Sequence, residues 1–372
     1  TSKHGFPFLT SMNEQHFLLA LSRLRGCSQA QALEAYQKFG SAQAVFESGK
    51  DAPEKLQAAL KNAPEAFKWA EQQAEFCQSK SIRILGFDDA DYPERLRNCA
   101  DAPLLLFYRG TAQLNVPHIL SVVGTRHITE YGKDLCRHLL QDLARLLPNT
   151  LIVSGLAYGV DIHAHRNALE YNLPTIGVLA HGLDRIYPAS HRDTAIRMLE
   201  AGGLLTEYPS NTKPDKGNFV RRNRIVAGIA DATIVVESAA KGGALITAHL
   251  AQNYNRDVFA YPGRIGDLYS EGCNRIIAQQ TAQLVTSAED ITLALQWTQP
   301  KTLKPIQREL FPELSPEEEC ICKSLADGRP HTISNLVTAT VLPFNKVNTL
   351  LLSMELRGII KVLPGGMYRL LK

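Results

Sequence analysis

From Ile119 to about Leu295 the chain alternates short apolar runs with longer stretches whose apolar positions recur every three or four residues. The runs are Ile119–Val123, Leu151–Val153, Thr175–Leu179, Leu204–Glu207, Thr233–Glu237 and Asp257–Ala260. Between the first two, Leu135, Leu139, Leu143 and Leu146 fall on one helical face. Continuously apolar strands separated by amphipathic helices belong to a parallel sheet covered on both sides. The pattern therefore predicts an α/β fold with a Rossmann-like core. Two more β-like runs, Ile82–Leu85 and Leu104–Tyr108, precede it and are expected to extend the edge of the sheet.

The flanks carry different patterns. Phe17, Leu18, Leu21 and Leu24, then Ala32, Leu33, Tyr36 and Phe39, mark helices broken at Gly26 and Gly40. Further helices are expected from Pro53 and around Phe67–Cys77. Periodicity begins at Met12, so residues 1–11 are expected to be an appended tail, 12–77 a small helical domain and 78–298 the Rossmann-like domain. Pro300, Pro305 and Pro312 in polar surroundings read as a linker over 299–313.

After the linker, Ser315-Pro316-Glu317-Glu318 has the cap, the proline and the acids of a helix start. A short helix near Ile333–Thr338, a longer one over Phe344–Arg357 and a Gly-turn hairpin complete a winged-helix pattern over 314–372. Residues 313–372 hold seven Lys/Arg against six Asp/Glu, which is weak for a duplex binder and favours a protein-contact role.

Composition narrows the classes. Hydrophobic residues are 45% and charged residues 21%, as in soluble globular chains. No apolar run reaches the length of a bilayer span, so no membrane partner is expected. Seven scattered cysteines suit reduced thiols and a cytoplasmic location. A net charge of only +3 means that affinity for nucleic acid must come from a local patch.

Such a patch lies over Lys213–Gly228, where Lys216, Phe219, Arg221, Arg222, Asn223 and Arg224 crowd ahead of an apolar run. Guanidinium forks grip phosphates and a ring can stack on a base, although a solvated helix start has the same composition.

In a parallel sheet all loops leaving the strands' C-terminal ends share one edge. These loops read Gly124-Thr125-Arg126, Ser154-Gly155-Leu156-Ala157-Tyr158-Gly159, Ala180-His181-Gly182, Lys241-Gly242-Gly243 and Pro262-Gly263-Arg264. Glycines admit a phosphate close to the backbone, and helix N-termini add partial positive charge. Several such loops beside the arginines point to a phosphate-binding edge.

Catalysis is the weaker alternative. His163 and His165 point apart on a helix, and Asp161 and His165, one turn apart, are expected to bond each other rather than a metal. Glu207 and Glu237 stand at strand ends, where acids act as bases or cap loops. No cofactor is expected.

The motifs Val122–Arg126 with Tyr131-Gly132, S-G-L-A-Y-G-V-D-I-H-A-H from Ser154 and G-L-D-R-I-Y-P from Gly182 resemble the DNA processing protein A (DprA/Smf) family. T-E-Y-P from Thr206, F-V-R-R-N-R-I-V-A-G from Phe219, D-V-F-A-Y-P-G from Asp257 and E-G-C-N-R-I-I from Glu271 complete the match. The resemblance implies a non-enzymatic protein of natural transformation that binds incoming single-stranded DNA, dimerises through the Rossmann domain and loads the RecA recombinase. It implies a SAM-like helical domain before the core and a winged helix after it.

Carried over by motif, Arg126, Arg222, Asn223 and Arg224 match the DNA pocket, and Lys216 and Phe219 match a cation and a ring that contact nucleotides. The converging loops and the basic patch also put Gly124, Thr125, Ser154, Gly155, Arg221, Lys241, Gly242 and Gly243 among the DNA-binding candidates. Val220 departs from a usual proline, Lys241-Gly242-Gly243-Ala244 from a pattern nearer Ser-Gly-Ser, and Thr281 from a usual glycine. The alternatives are a nucleoside monophosphate phosphoribohydrolase-like enzyme, against which the run Lys241–His249 has no acid, and a nucleotide-sensing winged-helix regulator.

Overall fold

A computed structural model describes residues 12–48, 52–298, 314–363 and 366–371. The expected tail 1–11 and linker 299–313 lie outside them. The chain divides into two units, one ending at Thr298 and the other beginning at Gln299.

The first unit is built on nine strands: β1 (Arg83–Gly86), β2 (Leu105–Gly110), β3 (Ile119–Val123), β4 (Leu151–Ser154), β5 (Thr175–Val178), β6 (Gly202–Thr206), β7 (Ala232–Val235), β8 (Asp257–Ala260) and β9 (Gln283–Leu284). Their order in the sheet is β1-β2-β6-β5-β4-β3-β7-β8-β9. Strands β3 to β9 run parallel, while β1 and β2 are antiparallel additions at one edge. The central parallel strands β3, β4, β5 and β7 are buried on both faces, as their unalternated sequences require. One face packs on Leu139, Leu140 and Leu143 of the helix Glu130–Leu146, and Leu139 and Leu143 belong to the stripe expected there.

Strand β6 begins earlier than its apolar residues indicate, at Gly202 and Gly203. The Tyr108 ring lies where a Cβ on Gly203 would fall, and its hydroxyl donates to the Gly202 carbonyl at 3.0 Å. That close packing requires two residues without side chains, which a search for apolar runs passes over.

Five helices precede the sheet: Glu14–Ser22, Gln29–Phe39, Ala42–Glu47, Glu54–Leu60 and Ala63–Ser79. Phe17, Phe46 and Phe67 meet at 4.8 to 6.0 Å between ring centroids. Their core does not close on itself. It continues without a break into Ile84, Leu85, Leu106 and Phe107 of β1 and β2, and Leu18 fills the space beside Gly86.

The second unit has helices Pro316–Ser324, Ile333–Thr340 and Phe344–Leu356 around Ile321, Leu336, Val347, Leu351 and Met354. Strands His331–Thr332, Ile360–Leu363 and Met367–Leu370 form a three-stranded antiparallel sheet, with the last of them in the middle. Ser315 and Glu318 make the reciprocal cap that their spacing calls for.

Candidate nucleic-acid interface

Strand order reverses at β3, with β4, β5 and β6 following to one side and β7, β8 and β9 to the other. The crevice outside the carboxyl ends at such a reversal is where open α/β sheets hold ligands. A cavity of about 250 Å³ opens there. Gly124, Thr125 and Arg126 line it after β3, Gly155 and Ala157 after β4, and Gly242 and Gly243 after β7. Phe219, Arg222 and Asn223 contribute from the helix Lys216–Ile229.

Close backbone packing shapes this crevice. Gly159 has φ +74°, and a Cβ there would lie 2.1 Å from the Thr125 carbonyl, so the loops after β3 and β4 can touch only at a glycine. Thr125 in turn donates its N–H to the Glu237 carbonyl at 2.7 Å. Gly242 caps the helix Gly243–Asn253 with no side chain closing its first turn. Gly242, Gly243 and Ala244 line the cavity at this helix start, the kind of terminus that suits an anion.

The Arg126 guanidinium lies 5.4 Å from the Phe219 ring centroid, and the exposed Tyr187 ring stands 5.9 Å from the same ring. Phe219 is half-buried beside these two groups.

Residues 83–296 match the family described as DNA recombination-mediator protein A. Protein Smf of Synechocystis sp. is 35% identical over 326 residues, which cover 78% of this chain and 81% of that protein. The chain belongs to the DNA recombination-mediator protein A family. The solved structure of DNA processing protein A from Streptococcus pneumoniae has a TM-score of 0.60 at 31% identity, covering 76% of this chain and 93% of that one. A second structure, described for the single-stranded DNA binding mode of DNA processing protein A from Helicobacter pylori, has a TM-score of 0.52 at 31% identity, covering 58% and 96%.

Within this recombination-mediator fold the basic box divides in three. Arg222 is buried, and its Nη1 donates to the Gly155 carbonyl at 2.6 Å and to the Val178 carbonyl. Its Nε reaches the Asn223 side-chain oxygen at 3.3 Å. Burial disfavours its charge, and Asp161 offsets part of that. Arg222 therefore braces the crevice from beneath with Nε and Nη1, while its side chain still lines the cavity. The reason is helical: 222, 225, 226 and 229 are the i, i+3, i+4, i+7 face that enters the core.

Arg224 points elsewhere. It pairs with the buried Glu207 and donates to the Asp101 carbonyl at 2.8 Å, and it does not line the cavity. Arg221 and Lys216 are exposed on the same helix, as is Lys241 in the loop after β7. Asn223 is half-buried at the cavity wall. Ser154 is buried, with its hydroxyl on the Val122 carbonyl at 2.6 Å, and does not line the cavity.

The tempting Asp161 and His165 do not bond each other. Asp161 accepts from the Gly155 and Ala157 amides at 3.2 and 3.3 Å, which fixes the loop after β4. His165 Nδ1 bonds Thr175 Oγ1 at 2.7 Å instead. Glu237 behaves as a loop cap, accepting from the Thr129 amide and hydroxyl at 2.9 and 2.5 Å.

Not every glycine loop joins this crevice. The loop Pro262-Gly263-Arg264 lines a separate cavity beside Glu237, held by Asn274 at 3.1 and 2.9 Å from the Gly263 amide and carbonyl. His181 is buried against Gly182. Tyr187 escapes composition-based reasoning, because its motif Gly182–Pro188 marks family membership without indicating which residue faces the ring.

Proposed function

We propose that the chain binds single-stranded DNA in the crevice at β3, as a cytoplasmic, non-enzymatic mediator of recombination during natural transformation. The observation that carries this is the Phe219 ring, flanked by Arg126 and Tyr187, beside the uncapped helix start at Gly242-Gly243. A ring for a base and amides with cations for phosphates are the two needs of a single strand. The likeness to the Helicobacter pylori protein, whose structure is described for its single-stranded DNA binding mode, supports the same reading.

The strand would be handed to RecA, the partner the family resemblance implies. Dimerisation would use the far edge of the sheet, where Leu284 of β9 is exposed while Ile276, Val285 and Ile291 serve the core. Leu284→Lys should then give monomers in sedimentation. The second unit, with Phe344, Leu352 and Leu356 exposed on its longest helix, reads as a winged helix that contacts protein.

Competition between single-stranded and double-stranded DNA tests the central claim. Single strands should win at moderate salt. With Arg126, Lys216, Arg221 and Lys241 on phosphates, log K should fall against log salt with a slope of about −3. Equal affinity for duplex would overturn the proposal, and release of free base from nucleoside monophosphates would favour the hydrolase alternative.

A further inference from the structure

A further cavity, of about 220 Å³, lies between the N-terminal helices and the sheet, with Glu207 among its lining groups. Glu207 is 6% exposed, and one carboxylate oxygen, Oε2, receives the Arg224 guanidinium. The other, Oε1, has no hydrogen-bond partner. Burial pushes the Glu207 carboxyl above its ordinary value, with Arg224, Tyr208 and Gln29 acting against that, but neither Tyr208 nor Gln29 closes a bond on Oε1. A buried acceptor left open is costly and asks for a donor from outside the fold.

The surrounding groups narrow what that donor can be. Glu207 and Arg224 already neutralise each other, so the site does not call for a cation. Half-buried Trp69 and Tyr208 supply aromatic walls for a flat group. Exposed Arg23, its guanidinium 5.7 Å from the Trp69 ring centroid, offers charge at the rim. A neutral, planar N–H donor attached to a phosphate fits all three.

The place of this cavity links it to the crevice. Asn218 lines it, and the next residue, Phe219, lines the crevice at β3, so the first turn of one helix separates the two. We infer that this cavity takes a base bearing an exocyclic amino group from the strand held in the crevice, with Glu207 Oε1 accepting from the amine. The inference rests on the single-strand reading above. Cytosine offers a donor at its 4-position, where thymine offers only an acceptor, so the site would favour cytosine over thymine.

The test compares oligo-dC and oligo-dT of equal length, at mildly alkaline pH, on the full chain by fluorescence anisotropy. Oligo-dC should bind about tenfold more tightly, since a thymine seated the same way sets its 4-carbonyl against the Glu207 acceptor and carries its one ring N–H at the neighbouring position. In Glu207→Gln the preference should invert. Arg224 has only donors, so the amide oxygen must turn to it and present the amide N–H₂ to the cavity, where thymine's carbonyl can accept. A strand carrying 5-iododeoxycytidine should photo-crosslink to Trp69 or Tyr208, a result that does not depend on any variant folding.

Equal affinities for the two strands, cross-links confined to Phe219 and Tyr187, or a cytosine preference that survives Glu207→Gln would each overturn the inference while leaving single-strand binding intact. Failure to bind either strand would overturn both.

Discussion

At the scale of single residues, neighbours in the basic box have opposite fates. Phe219→Ala should weaken single-strand binding ten- to a hundredfold, the worth of about 1–3 kcal/mol of stacking, and leave the salt slope unchanged because a ring releases no counterions. Arg126→Ala should weaken binding and also reduce that slope by a little under one unit. Arg224→Ala should do neither. Its side chain and that of Glu207 are 12% and 2% exposed, so removing the cation strands a buried carboxylate at a cost of about 3–5 kcal/mol. Urea unfolding and anisotropy on the same preparations separate the outcomes. A normal denaturation midpoint with weakened binding in Arg224→Ala would put that arginine back among the phosphate contacts.

At the scale of elements, the helix Val160–Glu170 is tied to the sheet through a side-chain relay. Thr175 donates its single hydroxyl proton to the Ile152 carbonyl at 3.0 Å, so His165 Nδ1 must be the donor to Thr175. His165 Nε2 is then a bare nitrogen with no partner in a fully buried place. Burial holds the ring neutral and pulls its pKa down to about 3, with Arg222 opposing the proton as well. The unfolded chain takes up a proton near pH 6.5 and the folded chain does not, so this residue costs stability as pH falls from there towards 3. Between pH 7 and pH 5 the loss is about 2 kcal/mol, and His165→Gln should remove that part of the pH dependence in urea titrations. An unchanged pH dependence would mean that the relay opens and admits the charge.

At the scale of the whole molecule, the shared core decides what can be cut. The second unit has a core of its own, so a chain ending at residue 298 should fold and keep single-strand affinity within tenfold of the full protein. A chain beginning at residue 78 should not fold well. It would expose the faces of β1 and β2 that Leu18 and its neighbours cover, an apolar area worth about 25 cal/mol per Å² in lost burial. Soluble expression and cooperative melting of the two truncations check this directly, and a stable 78–298 fragment would show that the helices are an accessory layer.

The sequence alone determined the parallel sheet, the edge strands and the helix caps, because these depend on local periodicity and short-range spacing. Asp257–Ala260 was legible to the residue, and so was the cap at Ser315. It also determined which loops could reach the crevice, since strand direction dictates that edge. What only the tertiary structure decided was where each polar side chain spends its bonds. Arg222 and Arg224 look alike in sequence, two positions apart. On a helix they differ by about 200°, which sends one under the Gly155 loop and the other to Glu207. Ser154 and Glu237 likewise found partners on other strands or loops, over separations that no local pattern encodes.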